Sequence, residues 1–373
     1  MHVLHLSHTD ITEDSRILKQ IDCLSTEYSV SGIGILLDET TVATEGAKQF
    51  DISTVALKSK RFLKIPSFIR HICVFFEFML SVIKLTKGSK YTVIQSHDFL
   101  VLPIAILLKV MGRTQYVVYD AHELESDRNG ISKSAGFIVY FLEKVAFFFV
   151  DGFITVSASI ENWYKQNFMI KESVVIYNSP ITLNLDTSDQ SYLRNKFAIS
   201  EDLRIFIYVG ILGQGRGIEN IIDIFENNPD IGCLVLLGYG PLEPFVTHKS
   251  VNASNIFYHE AVVHDDVVKI VKSADFGLLL IENVSLSDYF ALPNKLFEYM
   301  FAKVPIVGVN FPEISKVLVE TNSGVVLSES FTSEDFVKTC NDLDVTSFTF
   351  DDIDSYSWNA QKSKLLSFYN SII

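Results

Sequence analysis

Short apolar, β-branched runs alternate with helix-length amphipathic stretches along almost the whole chain, the pattern of parallel α/β sheets. In the first half the runs predict strands at Val3–Leu6, Val30–Leu36, Val93–Ser96, Tyr116–Tyr119, Gly152–Thr155 and Val174–Tyr177. Helices fit between them at Ser15–Ser25, Ser67–Leu85, Ile104–Val110, Ala135–Phe149 and Ser159–Asn167. A second series predicts strands at Ile205–Val209, Leu234–Leu237, Ile256–Tyr258, Phe276–Ile281, Ile306–Val309 and Gly324–Val326. Its helices fit at Ile218–Phe225, Asp265–Ser273, Pro293–Ala302, Ile314–Glu320 and Ser333–Leu343. Phenylalanine-rich Phe137–Val150 reads as a buried helix, because Glu143, Lys144 and Asp151 interrupt or flank it. The polar, turn-forming stretch from Asn178 to Asp189 separates the two series and is the best linker in the chain.

The expectation is therefore an α/β protein of two doubly wound, Rossmann-like domains, 1–180 and 181–356. The amphipathic stretch 357–373 is expected to pack back on the first. In such sheets ligands sit outside the carboxyl ends of the strands, so a cleft between facing domains is the default site.

A chain of 373 residues is too long for one ordinary core. Its net charge of −14 argues against general nucleic-acid binding. The four cysteines are scattered, with no Cys-x-x-Cys pair, which suits a reducing cytosol and gives no support to structural zinc. No signal peptide is expected, since strand-like Val3–Leu6 begins the chain. The charge is uneven: residues 58–90 hold eight Lys and Arg against one acid, Glu77, interleaved with Phe62, Phe68, Phe75, Phe76 and Phe78. Such a segment suits an anionic membrane surface, or equally a core helix with solvated lysines at its ends. Arg70, His71 and Glu77 break its apolar runs, so it should not span a bilayer.

The candidate chemistry lies at strand ends. Leu292-Pro293-Asn294-Lys295-Leu296-Phe297-Glu298 reads as a loop entering a helix with Pro293 in its first turn. The free amides of Asn294, Lys295 and Leu296 would then form an anion site, with Glu298 placed for a ribose beyond it. A capped surface helix is the plain alternative. The strand Ile205–Val209 runs into Gly210, a glycine-rich loop and Arg216, which would let backbone and guanidinium approach an anion. Gly238-Tyr239-Gly240 ends the next strand and leaves room for a flat base or ribose. In the first half, His97-Asp98 and Asp120-Ala121-His122-Glu123 follow strands and could carry protons or bind sugar hydroxyls. Arg16 at a helix start is a further cleft candidate, or a solvated helix residue. Asp342/Asp344 and Asp352/Asp354 have metal-ligand spacing but follow no strand and read as turns.

The ordered set Asp14-Ser15-Arg16-Ile17, Tyr119–Leu124, Tyr177-Asn178-Ser179, Tyr208-Val209-Gly210 with Arg216–Glu219, Leu237–Leu242 and Leu292–Tyr299 resembles glycosyltransferase family 4, retaining enzymes of the GT-B fold. The resemblance implies transfer of a sugar from a nucleotide diphosphate-sugar to a carbohydrate or lipid-linked acceptor, without a metal or other cofactor. A role in bacterial surface polysaccharide synthesis (O-antigen, capsule or exopolysaccharide) would follow, in the cytoplasm or peripherally on the inner face of the cell membrane. It implies that Glu298 binds the donor ribose, that Arg216 neutralises the leaving diphosphate and that Asn294, Lys295 and Leu296 donate backbone amides to it. It places His122 near the reaction centre; the loops themselves make Gly210, Gly238 and Gly240 donor-side candidates and Arg16, His97 and Glu123 acceptor-side candidates. Two departures stand out. Phe290 occupies the position of the family's first glutamate, whose sugar contact would be lost or supplied by Asp288, Tyr289 or Glu282. Ile211 replaces the basic residue that usually follows the strand glycine. A non-catalytic partner of an active transferase and a nucleotide-sugar epimerase of the same fold remain as rivals.

Overall fold

The computed structural model describes residues 1–36, 50–61, 66–181 and 189–373. Phe62, Lys64 and the middle of the expected linker lie outside the described residues. The chain divides into two compact units, Met1–Ile176 with Gln361–Ile373, and Tyr177–Ala360.

The first unit runs β1 (His2–Leu6), α1 (Ser15–Ser25), β2 (Ser29–Ile35), β3 (Asp51–Val55), α2 (Ser67–Leu85), β4 (Tyr91–His97), α3 (Leu102–Val110), β5 (Thr114–Ala121), α4 (Lys133–Ala146), β6 (Gly152–Thr155), α5 (Ala158–Asn167) and β7 (Ser173–Val175). Its strands are parallel in the order β3-β2-β1-β4-β5-β6-β7. The order reverses beside β1, so right-handed crossovers put α1 on one face and α2, α3 and α4 on the other. The carboxyl ends of β1, β4 and β5 thus stand side by side at the switch point, with His97 opposite Asp120 in register.

The second unit runs α6 (Tyr192–Phe197), β8 (Ile205–Val209), α7 (Ile218–Asn227), β9 (Cys233–Leu237), α8 (Glu243–Asn252), β10 (Ile256–His259), α9 (His264–Val271), β11 (Phe276–Leu279), α10 (Leu286–Tyr289), α11 (Asn294–Ala302), β12 (Ile306–Val309), α12 (Pro312–Glu320), β13 (Gly324–Leu327) and α13 (Ser333–Asp342). Its parallel order is β10-β9-β8-β11-β12-β13. Alternate residues of β8 feed two cores: Ile205, Ile207 and Val209 pack with Leu296 and Met300 of α11, while Phe206 and Tyr208 pack with Ile221 and Phe225 of α7. Strands buried on both faces are therefore apolar throughout, which is why they are legible. The final helix, α14 (Trp358–Ile372), closes Phe368 and Ile372 over Gly152, and its Tyr369 hydroxyl donates to Gln95.

Short α6 and α10 were not among the expected helices, and three further elements differ from the sequence expectation. β3 was not anticipated, because this edge strand carries alternating polar residues and is largely exposed. α8 was not anticipated either; Val246 is its one fully buried hydrophobic residue, so no apolar stripe announces it. The expectation for α4 is overturned. Phe137, Ile138, Phe141, Leu142 and Val145 are exposed, whereas Glu143 is fully buried and accepts hydrogen bonds from Tyr119 (2.8 Å) and Tyr164 (2.6 Å). The charged residue that suggested a buried helix is its inward-facing group.

Candidate functional site

In the second unit, β8 delivers the chain to Gly210, whose φ of 123° favours glycine. A Cβ on Gly210 would lie 3.6 Å from Cε and 3.7 Å from Nζ of Lys295. That ammonium sits 3.5 Å from the centroid of the Tyr208 ring, a close cation–π contact. Burial, then the nearby Arg216 charge, push the Lys295 amine well below its usual range, with Glu298 opposing them. The loop thus lacks a cation at exposed Ile211, but α11 supplies one from the other side of Gly210. The expectation gave Lys295 a backbone role only; the side chain escaped it because the contact spans 85 residues of sequence.

Arg216 Nη1 donates to Asp288 Oδ1 at 3.2 Å. Asp288 is held by Ser285, which caps α10, accepts from the Asp288 amide at 3.1 Å and donates to Oδ2 at 2.7 Å. Of the three groups expected to replace the missing glutamate, Asp288 is therefore engaged by Arg216. Tyr289 is half-buried, and Glu282 is exposed with its amide on the Gly215 carbonyl at 3.1 Å. Phe290 is the half-buried C-cap of α10.

The entry to α11 needs correction. Pro293 is the N-cap, with extended φ −75° and ψ 148°, so the helix begins at Asn294. The Leu296 amide already bonds the Pro293 carbonyl at 3.0 Å. The amides of Asn294 and Lys295 are the ones without an intrahelical carbonyl and open to an anion. Glu298, on the next turn, is buried. Tyr299 fixes the helix against the sheet: its hydroxyl donates toward the Ile207 and Leu278 carbonyls (3.2 Å each) and accepts from the Val209 amide at 3.0 Å.

Gly238 and Gly240 have a structural part as well. A Cβ on Gly238 would meet the Gly210 carbonyl oxygen at 1.9 Å, and one on Gly240 the Leu212 oxygen at 2.5 Å. Backbone takes the place of a side chain at both, so glycine there lets the two loops pack together. Amide bonds from Leu212 to Tyr239 (2.8 Å) and from Leu242 to Leu212 (2.9 Å) complete that packing.

In the first unit the polar residues form a buried network. Asp14 caps α1 through the Arg16 and Ile17 amides, both at 3.1 Å, and so fixes Arg16 in the first turn. Arg16 then turns inward, donating to Asp120 at 2.7 Å and to the Ile176 carbonyl at 3.0 Å; it is neither solvated nor free for a ligand. Gln20 and Gln95 also donate to Asp120, at 2.8 and 3.2 Å. Burial alone would raise the Asp120 pKa; Arg16 and His122 outweigh it and hold the carboxyl well below its usual range. His97 is completely buried between His5 (2.9 Å) and His122 (3.3 Å), so it too is removed from direct ligand contact.

His122 is the part of this network that reaches solvent, with 22% of its side chain exposed. Burial lowers its pKa, but Asp98 and Asp120, with ring nitrogens 3.5 Å from each carboxylate, raise it to about 9. Asp98 holds a φ of 65°, a strained conformation for a non-glycine residue. Glu123 is half-exposed and paired with Arg128 at 3.1 Å. His97, Asp120 and His122 place ligand atoms within 4.8 Å of one another, a geometry able to hold a metal. Asp120 is already paired with Arg16, however, and His122 lies between Asp98 and Asp120, so the cluster is charge-balanced. His5, Gln20, Gln95 and Tyr369 were not anticipated, since ordinary strand and helix residues meet here only through the topology.

Two parallel-sheet α/β units of this order define the GT-B fold of glycosyltransferases. Sucrose-phosphate synthase from Thermosynechococcus elongatus superposes with a TM-score of 0.79 at 13% identity, covering 100% of this chain and 99% of that one. Anabaena HepE, solved in complex with UDP and glucose, gives 0.72 at 13% identity with both chains fully covered. By sequence, chitobiosyldiphosphodolichol β-mannosyltransferase of Candida albicans is 25% identical over 264 residues, 65% of this chain. The alignment spans 57% of that relative's length. No known protein-family profile matches the chain.

Proposed function

We propose that the protein is a retaining glycosyltransferase of the family 4 type, moving a sugar from a nucleoside diphosphate-sugar to a carbohydrate or lipid-linked acceptor. The observation that carries this reading is the Lys295 side chain beside Gly210 and within electrostatic reach of Arg216, at the start of α11, with Glu298 one turn further in. As the glycosidic bond breaks, negative charge grows on the leaving diphosphate. Two preorganised cations and a helix start would stabilise it, each well-placed donor by roughly 3 kcal/mol. The reading assigns ribose recognition to Glu298 and neutralisation to Arg216 and Lys295, so the reaction should proceed unchanged in a chelator. In the first unit, His122 held as an imidazolium would donate to a sugar hydroxyl, with Asp98 and Asp120 orienting it.

The likeness to a mannosyltransferase named for a diphosphodolichol-linked acceptor favours a lipid-linked acceptor here. The basic 58–90 segment fits work at an anionic membrane, consistent with a cytoplasmic enzyme docked on the inner face during surface polysaccharide synthesis. No described helix is long and apolar enough to cross a membrane. Phe290 supports one second reading, a non-catalytic partner. The test is a nucleotide-release assay across UDP-, GDP- and dTDP-sugars with membrane extract as acceptor. Glu298→Ala should lower turnover about 10²- to 10³-fold. Turnover indifferent to Glu298→Ala contradicts the proposal, and an epimer formed from donor alone supports the epimerase instead.

A further inference from the structure

An exposed apolar surface on the first unit is left unexplained by the sugar-transfer chemistry. On α4 and the turn after it, Phe137, Ile138, Phe141, Leu142, Val145 and Phe148 face solvent, with Phe137 at 65% and Phe148 at 66% exposure. Their spacing of one, three and four residues makes a single stripe along the helix. α2 carries a second stripe at Phe68, Ile69, Ile72, Phe76 and Leu80. Both helices lie on the same face of the sheet, and α3 packs against each of them. A surface this apolar on an isolated globular unit marks an interaction site.

The charges around it say what it meets. On α2 and α4 the exposed charged side chains are cations: Lys84, Lys133 and Lys144, with Lys87 and Lys90 just beyond α2. The acids on these helices are engaged within the unit. Glu77 accepts from the Lys58 and Ser59 amides at 3.0 and 2.8 Å, and Glu143 is buried on Tyr119 and Tyr164. In a chain of net charge −14, this one face is apolar and basic. Beside Phe148, a hollow of about 240 Å³ lined by Phe147, Phe168, Met169 and Lys144 extends the apolar region under a cation. An anionic bilayer fits this combination, with acyl chains for the rings and headgroup phosphates for the lysines.

We propose that α2 and α4 together form a bilayer-docking face, with the phenylalanines of α4 entering the acyl boundary of anionic membranes. This deepens the membrane reading above, which rested on 58–90 alone. The test is co-sedimentation with phosphatidylglycerol-containing vesicles against pure phosphatidylcholine, without donor. The native chain should pellet with the anionic vesicles and be released by salt. The double variant Phe137→Ser/Phe141→Ser should bind at least about tenfold more weakly. Lys84→Glu/Lys144→Glu should lose the preference for anionic lipid. Both variants should keep the native melting temperature and the donor-induced thermal shift measured without vesicles, so that loss of docking and loss of the transferase reading are told apart. Vesicle binding that ignores both variants overturns the proposal. So does a native chain that stays in the supernatant, or that dimerises through this face as judged by light scattering.

Discussion

The two units hold their polar chemistry in opposite ways. The second unit places cations beside glycine loops and a helix start. Lys295 is buried against an aromatic ring, and Arg216 pairs with Asp288. The first unit buries a closed network in which each charge has an opposite neighbour: Arg16 with Asp120, His122 between Asp98 and Asp120. A surplus of positive charge is what a site awaiting an anion looks like, and it should be a weak point of the free protein. A balanced network should instead hold the fold and set one proton. Removing a residue from the first should change binding more than stability, and from the second the reverse.

The largest expected effect is in the balanced network. Asp120→Asn leaves the buried Arg16 guanidinium unpaired and should cost about 3–5 kcal/mol of unfolding free energy, read by urea denaturation. A loss under 1 kcal/mol would mean that the network is not closed. Next, Arg216→Ala should cut sugar-transfer turnover by about 10²-fold while the urea midpoint stays nearly fixed. A stability loss matching that of Asp120→Asn would erase the contrast between the units.

The pH dependence sharpens it further. The His122 pKa is raised to about 9 in the folded state against 6.5 unfolded. Its contribution to stability is therefore fully present below pH 6.5 and is lost as pH rises through 9. A melting temperature that falls between pH 6.5 and 9, with the fall flattened in His122→Gln, is the expected outcome. Lys295 has the reverse sign, because its folded pKa is lowered and the unfolded chain binds the proton more readily. The smallest effect belongs there: Lys295→Met should raise the stability of the ligand-free protein by about 1 kcal/mol and weaken nucleoside diphosphate binding about tenfold. Calorimetry and thermal melts on the same sample check both halves.

The contrast also explains what could be read from sequence. The second unit's site is written in short motifs, because glycine loops and a helix start are local structures. Gly210, Arg216 and the α11 entry could be proposed from sequence for that reason, although Pro293 is the cap of α11 and not in its first turn. The Lys295 side chain was not, since its neighbours Tyr208 and Gly210 come from another strand. In the first unit His97 and His122 were visible as polar strand ends. The inward turn of Arg16 and the parts of Gln20, Gln95 and Tyr369 depend on contacts between residues 75 to 274 positions apart. Doubly buried strands announced themselves by unbroken apolar runs, while edge strand β3 and weakly patterned α8 did not. For α4 the apolar residues were plain, and what misled was direction. One buried glutamate inverts the usual reading of an amphipathic helix.

Arg216 and Lys295 of the second unit should together bind a nucleoside diphosphate. A thermal-shift screen of the native chain and Glu298→Ala against UDP, GDP, dTDP and CMP tests it most directly. One diphosphate should raise the melting temperature of the native chain well above the others, and Glu298→Ala should abolish most of that rise. No shift with any nucleotide, or an equal shift in Glu298→Ala, would contradict the account.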